Sequence, residues 1–246
     1  MRIKLLYEDD HIIALYKPSG VLSIPDRHDK TLLNIYTWAL KKWGEVYTIH
    51  RIDKATSGII CLAKTKEALR HYSLQFEHQE VTKIYYAFCK GAPYPLEGEN
   101  EQPIATHPTI KGKMHIHPLG KASHTLYKTE QQWAGGSYSL VKVAIITGRT
   151  HQIRVHLHNL GAPIIGDTLY GDGRGFYLSD IKKNVHLKKG TEERAIIDRL
   201  GLHATALRFP QKLGGKENEK LEIEVDLPKD FTASIQQLNK WAGPKS

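Results

Sequence analysis

Apolar residues recur along this 246-residue chain with two spacings, a period of two that marks strands and a period near 3.6 that marks helices. Ile3–Tyr7 and Ile12–Tyr16 read as short strands around the acidic turn Glu8-Asp9-Asp10, and Lys17-Pro18-Ser19-Gly20 then breaks the pattern. Thr31–Lys42 reads as a helix whose buried stripe is Leu32, Leu33, Tyr36, Ala39 and Leu40. Ile59–Ala63 suits a buried strand, and Thr65 is the expected N-cap of a helix over Lys66–Glu77. Lys83–Lys90 alternates Ile84, Tyr86 and Phe88 on one side with Tyr85, Ala87 and Cys89 on the other, as a strand with two distinct faces does. Residues 91–124, rich in Pro, Gly and His, read as a long connection with a short hairpin around Lys111-Gly112-Lys113. Tyr138–Ile146 returns to strand character, and Thr150 is expected to cap a helix over His151–Leu160 that stops at Gly161. Leu178–Leu200 is charged and expected to end in a helix, Leu221–Val225 is a late strand, and Phe231–Trp241 is a terminal helix. No repeat, low-complexity segment or clean linker divides the chain, so one domain over residues 1–246, mixing α and β elements, is expected.

Composition narrows the function classes. With 40% hydrophobic and 25% charged residues the chain is of ordinary globular make-up, and no apolar run approaches the roughly 18 residues of a spanning helix. The first ten residues meet acids before an apolar stretch can form, so no secretory signal is read and the cytoplasm is the expected compartment. Two cysteines, Cys61 and Cys89, exclude a disulfide scaffold and are expected to be small buried hydrophobes. The 35 Lys and Arg exceed the 26 Asp and Glu, and this excess fits a polyanionic partner without proving one.

Three segments carry candidate chemistry. His50-Arg51-Ile52-Asp53-Lys54-Ala55-Thr56-Ser57-Gly58 is a polar loop entering the strand at Ile59, the kind of place where scaffolds present reactive groups. Arg51 and Lys54 put positive charge near Asp53, which keeps a carboxylate ionised, as a nucleophile or general base requires. Taken alone, the loop reads first as a salt-bridged turn. Gly148-Arg149-Thr150-His151-Gln152-Ile153-Arg154-Val155-His156-Leu157-His158 opens a helix with a glycine and an arginine suited to phosphate. Its spacing puts His151, Arg154 and His158 on one face and Ile153, Leu157 and Leu160 on another, which also describes an ordinary amphipathic helix with a solvated basic side. In Thr82-Lys83-Ile84-Tyr85-Tyr86-Ala87, Tyr85 shares a strand face with Lys83 and suits stacking on a base or acid–base work, although a core tyrosine is the commoner reading.

Together these segments resemble the RluA-like family of RNA pseudouridine synthases. The loop at residues 50–58 is similar to that family's HRLDxxTSG signature, with Ile52 in the usual Leu place. Lys83-x-Tyr85-x-Ala87, the helix start at residues 148–156, Gly166-Asp167 with Tyr170-Gly171, and Leu202-His203-Ala204 follow in the family's order. The opening from Leu6 to Gly20 also resembles the start of the family's catalytic domain, so the likeness spans about residues 3–227.

The resemblance implies an α+β pseudouridine synthase fold: a mixed, mostly antiparallel, bifurcated sheet flanked by helices, with a central RNA-binding cleft that accepts a flipped uridine. It implies that Asp53 attacks C1′ of the ribose or C6 of the base, the two routes staying open, before uracil rotates and rejoins through C5. Neither metal nor organic cofactor is then expected. Carried over residue by residue, Arg154 pairs with Asp53, and Tyr85 stacks under the base and helps remove the C5 proton. Arg51 occupies the space of the flipped nucleotide, while Lys83, Arg149, His151 and Gln152 are weaker candidates for RNA contact. The partner is tRNA or ribosomal RNA, and no obligate protein partner is evident.

Many relatives begin with an S4-type RNA-binding module, whereas this chain starts almost directly with the catalytic domain, so RNA selection is expected from the cleft and from insertions. Leu178–Leu200, with Lys182, Lys183, Lys188, Lys189 and Arg194, is a candidate insertion that touches RNA or is merely solvated. The tail at residues 231–246 lies outside the resemblance and is expected to pack on the domain or to fray. A metal-dependent hydrolase is the competing enzyme class, given 14 His residues. No HExxH or CxxC pattern occurs, and His156 and His158 project from different sides of their helix. A non-catalytic RNA-binding protein of the same fold would be expected to lack Asp53, Tyr85 or Arg154, and all three are present.

Overall fold

A computed structural model of the protein describes residues 2–186 and 190–243. Lys188 and Lys189, read above as candidate RNA contacts, lie outside the described residues. The chain divides into two compact units, one built from residues up to Tyr85 together with His203–Asp226, the other from Tyr86–Leu202 together with Leu227 onward.

The first unit is a mixed sheet with two helices. Its strands are β1 (Lys4–Glu8), β2 (Ile12–Lys17), β3 (Tyr47–Thr48), β4 (Ser57–Ala63), the first half of β5 (Thr82–Lys90), β11 (Leu202–Phe209) and β12 (Leu221–Glu224). β2 lies between β1 and β4, antiparallel to both, whereas β11 runs parallel to β4 through His203↔Ser57 and Ala204↔Gly58. β2 and β4 are buried along their whole lengths, so their continuous apolar runs, rather than an alternation, carried the strand signal. One layer of core joins Ile12, Ile59, Cys61, Tyr72 and Phe209, and a second joins Ile13, Leu15, Ile35, Ile60 and Leu62.

Helix α2 (Lys66–Glu77) is capped by Thr65, whose side chain accepts from the Ala68 N–H at 3.0 Å, as expected. Helix α1 (Ile35–Trp43) starts four residues later than its pattern suggests. Asn34 accepts the Thr37 N–H and so fixes the true start, while Asp29 holds Thr31 in a preceding turn. The buried stripe is accordingly Ile35 and Ala39, and Leu33 and Leu40 are 57% and 37% exposed.

The second unit holds the rest of β5, the antiparallel strands β6 (Glu97–Asn100), β9 (Thr125–Trp133) and β10 (Tyr138–Ile145), and a separate two-stranded hairpin of β7 (Ile104–Thr106) and β8 (Met114–Ile116). The expected hairpin around residues 111–113 is therefore present, but β6 and β9 were missed. β9 buries Thr125, Tyr127 and Trp133, a face too polar to announce itself by hydrophobicity. Helix α3 (Gln152–Asn159) ends where Gly161, at φ 78°, takes the left-handed turn. Its N-cap is His151 at φ 56° rather than Thr150. Among the described residues, 178–200 contains one short helical turn, Leu178–Asp180, and no terminal helix. Ile197 instead forms an antiparallel bridge with Phe176 and is buried in extended backbone. Helix α4 (Lys229–Trp241) packs Phe231 and Leu238 against Phe88, Trp133, Phe176 and Ile197, so these residues beyond the resemblance are core. No helix among the described residues is long and apolar enough to cross a membrane.

The parallel pairing of β4 and β11 depends on one backbone position. At Gly58, φ is +119°, and a Cβ built there would stand 2.1 Å from the Ala204 carbonyl oxygen. Gly20, at φ +86° with nothing within 4 Å of such a Cβ, bears only the conformational constraint. Gly58→Ala should therefore destabilise the protein by roughly 3–5 kcal/mol and Gly20→Ala by roughly 1–2 kcal/mol, measured by urea unfolding.

Candidate active site

In the first unit Asp53 stands on a loop whose backbone is tied down by the segment following β2. Lys17 is fully buried, and its Nζ donates to the carbonyls of Pro18 at 3.2 Å, Val21 at 2.7 Å and Lys54 at 3.0 Å. An ammonium taken out of water needs an acceptor for each N–H, so the chain must curl around it. The Gly20 N–H also donates to the Lys54 carbonyl at 2.8 Å, and the Ser19 hydroxyl donates to the Ala55 carbonyl at 2.6 Å. The Ser23 hydroxyl donates to the Ile52 carbonyl at 2.7 Å and accepts the Ile52 N–H at 3.2 Å. Backbone on both sides of Asp53 is thereby held. Asp53 itself is half-buried, and its carbonyl accepts the Thr56 N–H at 3.1 Å.

The loop's flanks are held as well. His50 accepts the Cys61 N–H at Nε2, at 2.9 Å, and stacks on Phe76 with ring centroids 4.9 Å apart. Burial, reinforced by the charge of Lys83, pushes the His50 pKa down to about 3, so the imidazole stays a neutral acceptor. Ser57 and His203 Nδ1 share a buried hydrogen bond of 2.8 Å. On β5, Tyr85 is buried, and its phenol is pushed above its usual range first by desolvation and then by the negative charge of Asp53. The hydroxyl therefore stays protonated at neutral pH. Lys83, on the same strand face, is 6% exposed, lies 5.7 Å from the Phe76 ring centre, and has its pKa lowered to about 8 by burial. Arg51 is exposed, with no hydrogen-bond or ion-pair partner among the described residues.

In the second unit, the start of α3 gathers the other predicted residues. Arg154 is buried and makes a two-pronged pair with Asp167, Nε to Oδ2 and Nη2 to Oδ1, both at 2.8 Å. Burial alone would raise the Asp167 pKa. The guanidinium, with N–H groups of Leu169 and Tyr170 donating to the same carboxylate, overrides this and holds it below the ordinary value. The Arg154 guanidinium also lies 5.0 Å from the Tyr170 ring centre, and the rings of His151 and His158 contact the same tyrosine, so the predicted face of α3 exists and Tyr170 covers it. The Tyr170 hydroxyl bonds His151 Nδ1 at 2.9 Å and accepts the Met114 N–H of β8 at 2.8 Å.

Gln152, read from sequence as an RNA contact, is buried with its amide engaged inside the protein. Its oxygen accepts from Thr147 Oγ1 and the Arg149 N–H, and its nitrogen donates to the His124 carbonyl and Thr125 Oγ1. His156 is likewise fully buried, bonded through Nδ1 to Thr125 Oγ1 and through Nε2 to Ser123 Oγ and the Gln102 carbonyl. Neither ring nitrogen is available to a metal. Among the described residues, the cluster with metal-ligand spacing is Glu99, Glu101 and His124, which includes none of His151, His156 and His158. Arg149 uses its Nε on the Ala122 carbonyl at 2.8 Å.

Sequence reasoning missed Lys17, Ser19 and Ser23 as supports of the Asp53 loop, and Asp167 and Tyr170 as supports of Arg154. A lysine closing an otherwise apolar strand was the available signal for the first set.

Residues 11–159, which carry Asp53, Tyr85 and Arg154, match the family model described as RNA pseudouridylate synthase. The chain belongs to this family. The dual-specificity RNA pseudouridine synthase RluA of Escherichia coli K12 is 35% identical over 228 residues, covering 92% of this chain and 93% of that protein. The ribosomal large subunit pseudouridine synthase D of Haemophilus ducreyi is 32% identical over 246 residues, covering 96% of this chain and 70% of that protein. Among solved structures, human RNA pseudouridylate synthase domain containing 4 superposes with a TM-score of 0.72 at 26% identity, over 96% of this chain and 92% of that one. The synthase fold expected from the sequence is thus the fold observed, and the activity is the isomerisation of uridine to pseudouridine in RNA.

Two titrations test the electrostatics of this synthase. Asp167 has a folded pKa below its unfolded one, so it adds stability above the unfolded value near 3.8 and loses it as pH falls through the lower folded value. Asp167→Asn should therefore destabilise the protein by about 3 kcal/mol at pH 7, and its deficit against wild type should shrink in acid-unfolding curves below about pH 4. Lys83 has the opposite sense. Its lowered folded pKa means that the fold disfavours its charged form, so wild type gains stability as pH rises from about 8 toward 10.5. Lys83→Met should be more stable than wild type at pH 7, with the difference closing across that window in chemical denaturation.

Proposed function

We propose that the synthase isomerises its target uridine through nucleophilic attack by Asp53, on tRNA or ribosomal RNA. The observation that carries this reading is the clamping of the backbone around Asp53, with the carbonyls of Ile52, Lys54 and Ala55 all held by the segment from Lys17 to Ser23. A nucleophile gains from fixed placement, because ordering it beforehand removes that cost from the reaction barrier. In attack at C1′ the Asp53 carboxylate displaces uracil from the ribose and is displaced in turn when C5 bonds to C1′. In attack at C6 it adds to the base and is eliminated after the base has rejoined through C5. In both routes N1 gains a proton and the C5 proton leaves.

Tyr85 acts in this scheme through its ring, stacked under the base, and as a neutral phenol, since burial and the nearby carboxylate oppose its ionisation. Arg154 is the cation of the reaction, kept charged and oriented by Asp167 and Tyr170. Arg51, exposed on the Asp53 loop, takes the space that the flipped nucleotide leaves, and Arg149 and His151 contact RNA. Lys83 adds charge to that contact only below about pH 8. Gln152 acts behind them by bracing the turn before α3. The names of the curated relatives support RNA as the substrate, and a dual-specificity enzyme among them makes both RNA classes worth assaying.

The test is tritium release from RNA labelled at uridine C5, with unmodified tRNA and ribosomal RNA supplied separately. Wild type should release tritium from at least one pool, and Asp53→Asn should lower the rate at least ~10³-fold while still binding RNA. An active Asp53→Asn protein overturns the mechanism. Charge reversal of Lys182 and Lys183 should weaken RNA binding and flatten its salt dependence by roughly 0.7 to 0.9 in slope for each phosphate no longer neutralised, and unchanged binding makes that segment a solvated surface.

A further inference from the structure

From Gln102 to Gly166 the chain carries seven Lys and Arg residues and a single acid, Glu130. The nearest preceding acids, Glu99 and Glu101, are engaged by His124. Within this stretch the β7–β8 hairpin and the turn at residues 148–150 enclose a groove of about 480 Å³, a volume in the range of small-ligand sites. Two cations line it. Lys121 is exposed and has no carboxylate partner among the described residues, and Arg149 uses only Nε within the protein, leaving both terminal amino groups of its guanidinium unpartnered. The opposite character is present too. Ile104 and Met114 lie in the groove, and Leu119, 90% exposed, stands at its lip.

An aliphatic side chain left in water beside unneutralised cations fits a ligand that is anionic at one end and has a flat apolar face at the other. We propose that this groove is a subsite for a single-stranded nucleotide of the substrate RNA other than the reacting uridine. Its phosphate is taken by Arg149 and Lys121, and its base is laid against Leu119 and Met114. This assignment rests on the RNA reading above and names where flanking sequence is held. The groove is built rather than incidental. The Arg149 backbone is fixed by Gln152, the hairpin is fixed through the bond from the Met114 N–H to Tyr170, and Gly120 passes so close to Ile104 that a Cβ there would meet its backbone at 2.6 Å.

The test uses the full chain and the RNA pool from which tritium is released. Binding is read by filter retention across a salt series and catalysis by single-turnover tritium release at saturating RNA. Lys121→Glu and Leu119→Ser, both at exposed positions, and Arg149→Gln are compared with wild type. The expected result is an increase of about tenfold or more in Kd for each variant, a salt slope flattened by roughly 0.7 per cation removed, and, for Lys121→Glu and Leu119→Ser, a saturated rate within about twofold of wild type. Leu119→Ser should weaken binding without changing the slope, and this separates a nucleotide from a bare phosphate. Unchanged Kd and slope in all three overturn the subsite. Losses equally large on a fully duplexed RNA overturn its preference for a single strand, and weakened binding at Lys121 and Arg149 with none at Leu119 reduces it to anion binding. Because binding and release are read separately, an active Asp53→Asn protein would sink the mechanism while leaving this result intact.

Discussion

A buried ammonium must find an acceptor for each of its N–H groups, and Lys17 meets that requirement with carbonyls drawn from Pro18, Val21 and Lys54. The consequence is local and severe. The chain after β2 folds back on itself, its serines and the Gly20 N–H come within reach of the loop at residues 52–55, and that loop loses its freedom to move. A strand-ending lysine, costly in itself, thus becomes the reason a carboxylate is held in one place. Gly58 completes the arrangement, since only a residue without a Cβ lets β11 approach the end of the same loop.

The second unit reaches rigidity by a different route. Six successive residues from Gln152 to Leu157 are buried although three of them are polar or charged. Each of those three is satisfied by its own partners: Gln152 by the preceding turn and the start of β9, Arg154 by Asp167, and His156 by Ser123, Thr125 and the Gln102 carbonyl. Replacing any one partner leaves a buried polar group in want of water, which is why such networks specify geometry more than they add net stability.

Much of this was legible in the sequence, and the rest fails for identifiable reasons. Long apolar runs announced β2 and β4, a threonine announced the start of α2, and the spacing of His151, Arg154 and His158 announced a shared face that Tyr170 now covers. β9 was missed because its inward face is Thr and Tyr rather than aliphatic, and the start of α1 was misplaced because Asn34 caps the helix inside the expected span. The helix expected at the end of residues 178–200 is absent, since Ile197 pairs with Phe176 in extended backbone instead. What periodicity cannot show is which polar residues turn inward, because that is decided by partners far away in sequence: Lys54 for Lys17, Asp167 for Arg154, and Thr125 for His156.

The cations assigned to the site and to the groove therefore fall into two physical kinds. Lys17 and Arg154 are buried and hydrogen-bonded within the protein, so salt in the medium hardly screens them and their work is to fix shape. Arg51, Lys121 and the terminal amino groups of Arg149 have no protein anion among the described residues, and their field is open to solvent and to phosphate. Lys83 lies between the kinds, buried enough that its charge is lost near pH 8. Because counterion release governs only the open kind, the proposed RNA contacts would set the salt dependence of RNA affinity through cations such as Arg51, Lys121 and Arg149, and the proposed mechanism would tie the saturated rate to the geometry that Lys17 and Arg154 maintain. On that reading affinity and chemistry in this synthase are separable by ionic strength, since they draw on different charges.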